Sequence, residues 1–442
     1  MNTIRKKHIS SFHVIIYGFL GAILTGTLLL MLPFSSKCRA ITPFYDALFT
    51  ATSAVCVTGL VVHDTATYWS MFGQFVIMLM IQIGGLGIVT IAVATAMISG
   101  KKIGLMQRST MQESISAPKV GGIVRLTSFI LKTTFGIEIF GALCMLPMYL
   151  KDFGIRGIWI SLFHSVSAFC NAGFDLMGTR EKFSSLVSYS DNLLINIVIM
   201  LLIITGGIGF LVWDDIKTNK FHWHKYRMQS KVVLTTTVFL ITLPAIYFYF
   251  CEFGLLSYKD RILSSLFQAV TPRTAGFNTV HTASLSSGGM FTTIVLMFIG
   301  GSPGSTAGGI KTTTVFVIFL YIRSYLLRQK DCIAFKHRMD TEAVKKASIV
   351  VFINLLLAVS GSMIIFLAQN LPMPDVLFEV FSACGTVGMS TGVTRQLNDI
   401  SRIVIIILMF CGRMGSLTFA MSFTERRKTE EIRYPEEQII VG

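Results

Sequence analysis

Apolar stretches of about twenty residues recur along the chain, and between them lie apolar runs of only about a dozen. Twenty helical residues cover about 30 Å, enough to cross a bilayer; a dozen cover about 18 Å and cannot. The long stretches Val14–Pro33, Phe129–Leu150, Val232–Phe253 and Ala347–Leu367 read as outward spans. The short runs Phe44–Val55, Ile158–Phe169, Ile262–Val270 and Asp375–Cys384 read as half-spans. Return spans follow at Met71–Ile98, Leu193–Trp213, Met290–Tyr325 and Ile403–Phe423. The pattern predicts eight crossings and four half-crossings, with both termini on one side.

Each half-span contains a Leu-Phe pair, beginning at Leu48, Leu162, Leu266 and Leu377, and runs on into a glycine, at Gly59, Gly173, Gly276 and Gly388. These glycines stand 114, 103 and 112 residues apart, a period that fills the chain. The division that follows is 1–100 (pore loop 44–61), 101–218 (158–175), 219–330 (262–278) and 331–425 (375–390), with 426–442 as a tail. The glycine segments are Val57-Thr58-Gly59, Asn171-Ala172-Gly173, Thr274-Ala275-Gly276 and Thr386-Val387-Gly388. Non-helical backbone at membrane depth must be buried in protein or line a watery path. A ring of main-chain carbonyls there replaces the hydration shell of a cation. The fold class expected is therefore an all-α polytopic membrane protein: four pseudo-repeats of span, pore helix, filter loop and span around one central pore.

Composition agrees. Of 442 residues, 52% are hydrophobic and only 14% charged, which excludes an ordinary soluble domain. The net charge of +15 is unevenly placed. The N-terminus, the linkers 100–125, 214–231 and 323–346, and the tail carry 24 basic and 11 acidic residues, while the filter side carries 11 of each. The positive-inside rule makes the basic side cytoplasmic and the membrane the cytoplasmic one. Charge scattered over short loops does not form a nucleic-acid surface. The first apolar stretch is too long for a signal-peptide core and reads as a retained span. The eight cysteines show no metal-type spacing.

Two features break the repeat. The third return span is interrupted by Gly300-Gly301-Ser302-Pro303-Gly304-Ser305-Thr306-Ala307-Gly308-Gly309, which cannot hold a helix and marks a cavity or gate. It is not a nucleotide-binding loop: Ile310 separates Gly309 from Lys311, and no strand precedes it. The fourth return span contains a single cation, Arg413, about 15 Å into the span and so near the midplane. An intramembrane arginine either faces the pore or hydrogen-bonds carbonyls at a break and holds the bundle together. The loop and Arg413 are expected to meet beneath the filter as a combined barrier. Arg273, three residues before Gly276, is expected to brace the filter from behind, and Lys132 and Glu138 to pair with neighbours or to snorkel.

The four loops and the broken span resemble the Trk/Ktr/HKT superfamily of cation transporters, most of all the Ktr-type membrane subunits of bacterial potassium uptake. The resemblance covers essentially the whole chain. It implies a potassium selectivity filter built on Gly59, Gly173, Gly276 and Gly388, with Gly59 at the position where some plant relatives carry serine and select sodium. It also implies an intramembrane gate at 300–309 with Arg413, potassium as substrate with no cofactor in the chain, and stimulation by sodium as in relatives. A homodimer in lipid, docked on a cytosolic nucleotide-binding regulatory ring of the KtrA type, is the assembly it implies. Only the fourth loop keeps Thr-Val-Gly, so few strong ion sites are expected. An ion-coupled transporter of a small solute is the alternative, but it calls for inverted repeats and mid-span carboxylate pairs. An enzyme would need a nucleophile–base set or metal ligands within the spans, and none is apparent.

Overall fold

The computed structural model describes residues 11–100, 103–115, 121–329 and 331–415, with 435 and 437. The basic cluster Arg5 to Lys7, the expected end of the last return span (416–423) and most of the tail 426–442 lie outside the described residues. Four helices are long and apolar enough to cross a membrane: Ser11–Met31, Ile123–Phe153, Met228–Tyr247 continued by a π-helical turn Phe248–Glu252, and Thr341–Ala368. These are the four outward stretches read from the sequence. The half-spans are helices at Phe44–Val55, Arg156–Phe169, Tyr258–Val270 and Met373–Gly385. The first has the expected bounds; the others begin two to four residues earlier, where polar or proline-rich starts extend the apolar run. Asp46, Asp260 and Asp375 sit in first turns, facing the positive ends of their helix dipoles.

The short helices carry many polar side chains into the interior, while the long helices turn apolar faces outward. The short helices bury Thr50, Thr52, Ser53, His164, Ser165, Ser167, Gln268, Glu379 and Ser382. The long helices expose Phe135, Ile139 and Leu143 on one face, and Val238, Phe239, Leu243 and Ile246 on another. Residues at such spacing share one side of a helix. A soluble core has the reverse arrangement, so these faces belong against lipid.

The return segments differ from the straight crossings expected. Met71–Leu86 is followed by Ile88–Ile98, and Leu193–Ile208 by Phe210–Asn219; each pair is bent by 95°. The hinges are Gly87 (φ +85°) and Gly209 (φ +101°), backbone that a side-chain-bearing residue adopts only at a cost. The third return splits into Ser287–Phe298 and Thr312–Leu326 around the expected irregular loop. The fourth, Asp399–Met414, ends on Gly415 (φ +82°). Arg413 is in the last turn of this helix.

Each short helix packs against the outward span of its own repeat. The return helix of one repeat also packs on the short helix of the next: Met71–Leu86 on Arg156–Phe169, Leu193–Ile208 on Tyr258–Val270, Ser287–Phe298 on Met373–Gly385. The last return, Asp399–Met414, packs on the first short helix, Phe44–Val55, and closes the circle.

Candidate ion pathway

The four short helices point their C-terminal ends inward, and each turns sharply at its end. Val57, Asn171, Thr274 and Thr386 all have left-handed backbone, with φ of +55°, +58°, +72° and +51°. Two residues on, Gly59, Gly173, Gly276 and Gly388 are left-handed again, with φ of +93°, +70°, +77° and +91°. Three of the four leading residues are β-branched, for which this conformation is a genuine outlier. Strain repeated at equivalent positions marks a function that the fold upholds.

The glycines meet one another. A Cβ built on Gly59 would lie 2.4 Å from the Ala172 carbonyl oxygen, and one on Gly173 2.6 Å from that of Ala275. On Gly276 it would lie 2.4 Å from the Val387 oxygen, and on Gly388 2.1 Å from the Thr58 oxygen. The loops thus form a closed ring in sequence order, carbonyl against glycine, with no room for a side chain at any of the four joints. All eight non-glycine residues of the set (Val57, Thr58, Asn171, Ala172, Thr274, Ala275, Thr386, Val387) are buried.

One hydroxyl in each repeat holds the turn. The Gly59 amide donates to Ser53 Oγ at 3.0 Å and the Gly388 amide to Ser382 Oγ at 3.1 Å. In the other two repeats Ser167 Oγ donates to the Phe174 carbonyl at 2.7 Å and Thr271 Oγ1 to that of Phe277 at 2.6 Å. The same four residues accept through their own carbonyls from Thr58, Ala172, Ala275 and Val387 amides. The third loop is one residue shorter, so its bond spans four residues instead of five. These hydroxyls carry no signal of their own in the sequence, although aligning the four copies on their glycines brings Ser53, Ser167 and Ser382 into one column, with Thr271 one position closer because its loop is one residue shorter. Asn171 and Thr274 add a tie between neighbouring loops, Thr274 Oγ1 donating to the Asn171 side-chain oxygen at 3.2 Å. Arg273 points away from the ring and donates to Thr237 Oγ1 at 3.3 Å.

Return-span glycines let the pore helices come close. A Cβ on Gly84, Gly206 or Gly412 would fall 1.9, 1.9 or 2.2 Å from the carbonyl oxygen of Val55, Phe169 or Cys384, at the end of the adjoining pore helix. Behind the second pore helix, Gln82 Nε2 donates to both Glu138 carboxylate oxygens at 3.0 and 3.2 Å, giving Glu138 a neighbour in the first repeat.

Beneath the ring lies the irregular segment. The Gly300 amide donates to the Ile310 carbonyl at 2.9 Å and the Thr312 amide to that of Gly301 at 3.0 Å, which closes the neck of the loop. Ser305 Oγ donates to the Ser302 carbonyl at 2.6 Å, and the Gly304 carbonyl accepts from Phe210 at 2.8 Å. A Cβ on Gly209 would sit 2.7 Å from the Pro303 oxygen. Thr306 Oγ1 donates to the Phe169 carbonyl at 3.0 Å, hooking the loop to the second pore helix. A Cβ on Gly308 would lie 2.1 Å from Thr386 Oγ1, so the loop also reaches the lower edge of the glycine ring. Gly309 donates to the Gly412 carbonyl at 3.3 Å and Lys311 Nζ to that of Ala307 at 2.7 Å. The Arg413 guanidinium donates to the carbonyls of Thr306, Gly84 and Gly85. It joins the loop to the broken end of the first return helix, and it lines the space below the ring as well.

Two cavities flank the ring. One of about 310 Å³ lies above it, touching all four ring glycines together with Asp64 and Asp175. The other, of about 220 Å³, lies below and is lined by Gly304, Ala307, Lys311 and Arg413.

Comparison with known proteins converges on one family. The model of the cation transport protein family TrkH matches residues 5–432. The chain is 39% identical to the potassium/sodium uptake protein NtpJ of Enterococcus hirae, over 99% of this chain and 98% of that protein. It is 39% identical to the Ktr system potassium uptake protein B of Bacillus subtilis, over 97% of this chain and 96% of that one. In fold it is similar to the potassium transporter TrkH from Vibrio parahaemolyticus, with a TM-score of 0.74 at 19% identity over 96% of this chain and 87% of the other. The chain belongs to the TrkH family of cation transport proteins, which are transporters and not enzymes.

Proposed function

We propose that the chain carries potassium into the cell across the cytoplasmic membrane, through the axis of the glycine ring. The observation that carries this reading is the ring itself: four left-handed glycines in mutual contact at the ends of four inward-pointing helices. The names of the full-length relatives, potassium and potassium/sodium uptake proteins, support the choice of ion. Carbonyls of 57–59, 171–173, 274–276 and 386–388 coordinate the dehydrated cation, and the negative ends of the pore-helix dipoles lower its energy there. Movement is passive, down the membrane potential, and is stimulated by sodium. The 300–309 loop with Arg413 closes the path from below. The working unit is a homodimer that docks a cytosolic nucleotide-binding subunit of the KtrA type on its basic inner face.

Rubidium tracer uptake into vesicles holding the purified chain, under an inside-negative potential and with no other gradient, tests this directly. Absence of flux from well-inserted protein would sink it. The filter assignment has its own test. Gly388→Ser places a side chain against the Thr58 carbonyl at φ +91°, so the ring must widen there. Discrimination of potassium over sodium is expected to fall about tenfold, the equivalent of about 1.4 kcal/mol between the two ions. An unchanged uptake ratio in a host lacking its own potassium uptake would refute the role of this glycine.

A further inference from the structure

Three cations gather at the filter side of the first two repeats. Lys37 and Arg39 lie in the turn after the first span, and Arg156 opens the second pore helix. They rim a groove of about 890 Å³ whose lining contains no carboxylate. Other arginines on this side are satisfied: Arg180 pairs with Asp152 at 2.8 Å, Arg402 with Asp46 at 2.9 Å, and Arg261 donates to the Tyr249 carbonyl at 2.7 Å. Among the described residues, the guanidinium groups of Arg39 and Arg156 have no hydrogen-bond or carboxylate partner. Lys37 donates to the Ala66 carbonyl at 2.6 Å. Partial burial and then the Arg156 charge hold the Lys37 pKa below its ordinary value, with Asp64 opposing. The Asp64 carboxylate is itself engaged, accepting from the Thr67 and Phe183 amides at 2.8 and 3.0 Å.

Apart from Ser36, Ser70 and Gln74 the rest of the groove is apolar, and it faces outward. Met71 and Ile158 are 67% and 54% exposed, on helices that start at this level. Trp159 closes the back, its Nε1–H donating to Gln74 Oε1 at 2.9 Å. A span that ends at Met31, a helix that starts at Met71 and one that starts at Arg156 place the cations at headgroup depth and the apolar wall at acyl depth. A soluble anion would balance the charge but leave the wall bare; a neutral lipid would cover the wall and leave the cations unbalanced.

We propose that this groove binds an anionic glycerophospholipid, its phosphate held among Lys37, Arg39 and Arg156 and an acyl chain laid on the Met71–Ile158 wall. The lipid bridges the first return helix and the second pore helix, and the site does not depend on which ion passes the axis.

The test uses the full chain, purified and delipidated in detergent, with phosphatidylglycerol or phosphatidylcholine added in mixed micelles and the unfolding midpoint recorded. Phosphatidylglycerol is expected to raise the midpoint and phosphatidylcholine to leave it in place. Inorganic phosphate and glycerol 3-phosphate at the same concentration are expected to do nothing. Lys37→Gln/Arg39→Gln/Arg156→Gln should weaken phosphatidylglycerol binding about a hundredfold, at several-fold per cation. The control Arg323→Gln/Arg328→Gln should bind as the parent does. If the triple variant fails to fold, Arg39→Gln alone, on an exposed turn, should still lose several-fold. Equal shifts from both lipids, the same shift from phosphate alone, or full binding by these variants would overturn the proposal. So would a midpoint that follows protein concentration and ignores lipid, which would assign the groove to a second copy of the chain.

Discussion

Val57, Thr274 and Thr386 occupy backbone that β-branched residues avoid, at about 1–3 kcal/mol each, and they do so where the chain leaves a pore helix. What offsets that cost is local: the hydroxyls of Ser53, Ser167, Thr271 and Ser382, and the loop-to-loop contacts that leave no space for relaxation. Ser382→Ala removes the acceptor of the Gly388 amide, an unmet buried donor worth about 1–3 kcal/mol. The variant is expected to unfold at lower temperature and to discriminate less well between rubidium and sodium; both properties unchanged would show that the hydroxyl is incidental. The glycines stood out in the sequence because nothing else could serve at those positions. The hydroxyls did not, since serine and threonine are common wherever a helix ends and mean nothing until their partners are known. Glu138 is similar: its presence in a span was plain, whereas its partner Gln82 is 56 residues away.

The pore helices were legible as elements because a dozen apolar residues ending in a glycine loop admit few alternatives. The bends of the return helices were not. Gly84-Gly85-Leu86-Gly87 and Gly206-Gly207-Ile208-Gly209 sit inside continuous apolar runs, and a glycine lowers helix stability by only about 1 kcal/mol, too little to announce a 95° turn. At the second bend the Gly206 and Gly207 carbonyls accept from the Thr306 and Ser302 amides of the 300–309 loop, and at the first the Gly84 and Gly85 carbonyls accept from Arg413. Arg413 likewise finds its carbonyl partners at a helix end, where cations are favoured. Its side chain tethers the loop to the first repeat. Arg413→Ala, or deletion of the loop, is expected to shift the closed path toward open and raise rubidium flux about tenfold, the size of one charged hydrogen bond. Flux at or below the parent level, at equal expression, would argue that the arginine only holds the bundle together.

At the scale of the molecule, the circle is closed by contacts between repeats: every return helix leans on the next pore helix, and the last leans on the first. The Asp46 carboxylate seals that joint, accepting from Arg402 at 2.9 Å and lying 2.9 Å from His63 Nε2. The uneven charge argues for the basic face as the cytoplasmic one, an orientation the cysteines put to a direct test. Cys38 is exposed in the first filter-side turn, and Cys332 lies in the basic linker 323–346. A membrane-impermeant maleimide applied to intact cells should modify Cys38 at once and Cys332 only after permeabilisation. The opposite order would invert the orientation.

Hydrophobic periodicity, four evenly spaced glycines and a lopsided distribution of charge are properties of the chain in one dimension. They were enough to place the four long spans, the four short helices and the irregular segment at 300–309, because the bilayer leaves few other readings of those segments. The order of the ring, the bends at Gly87 and Gly209, the partners of Arg413 and the carboxylate-free groove at Lys37, Arg39 and Arg156 required folding. Each depends on atoms brought together from distant parts of the chain, and packing at that range leaves no periodic trace in the order of residues.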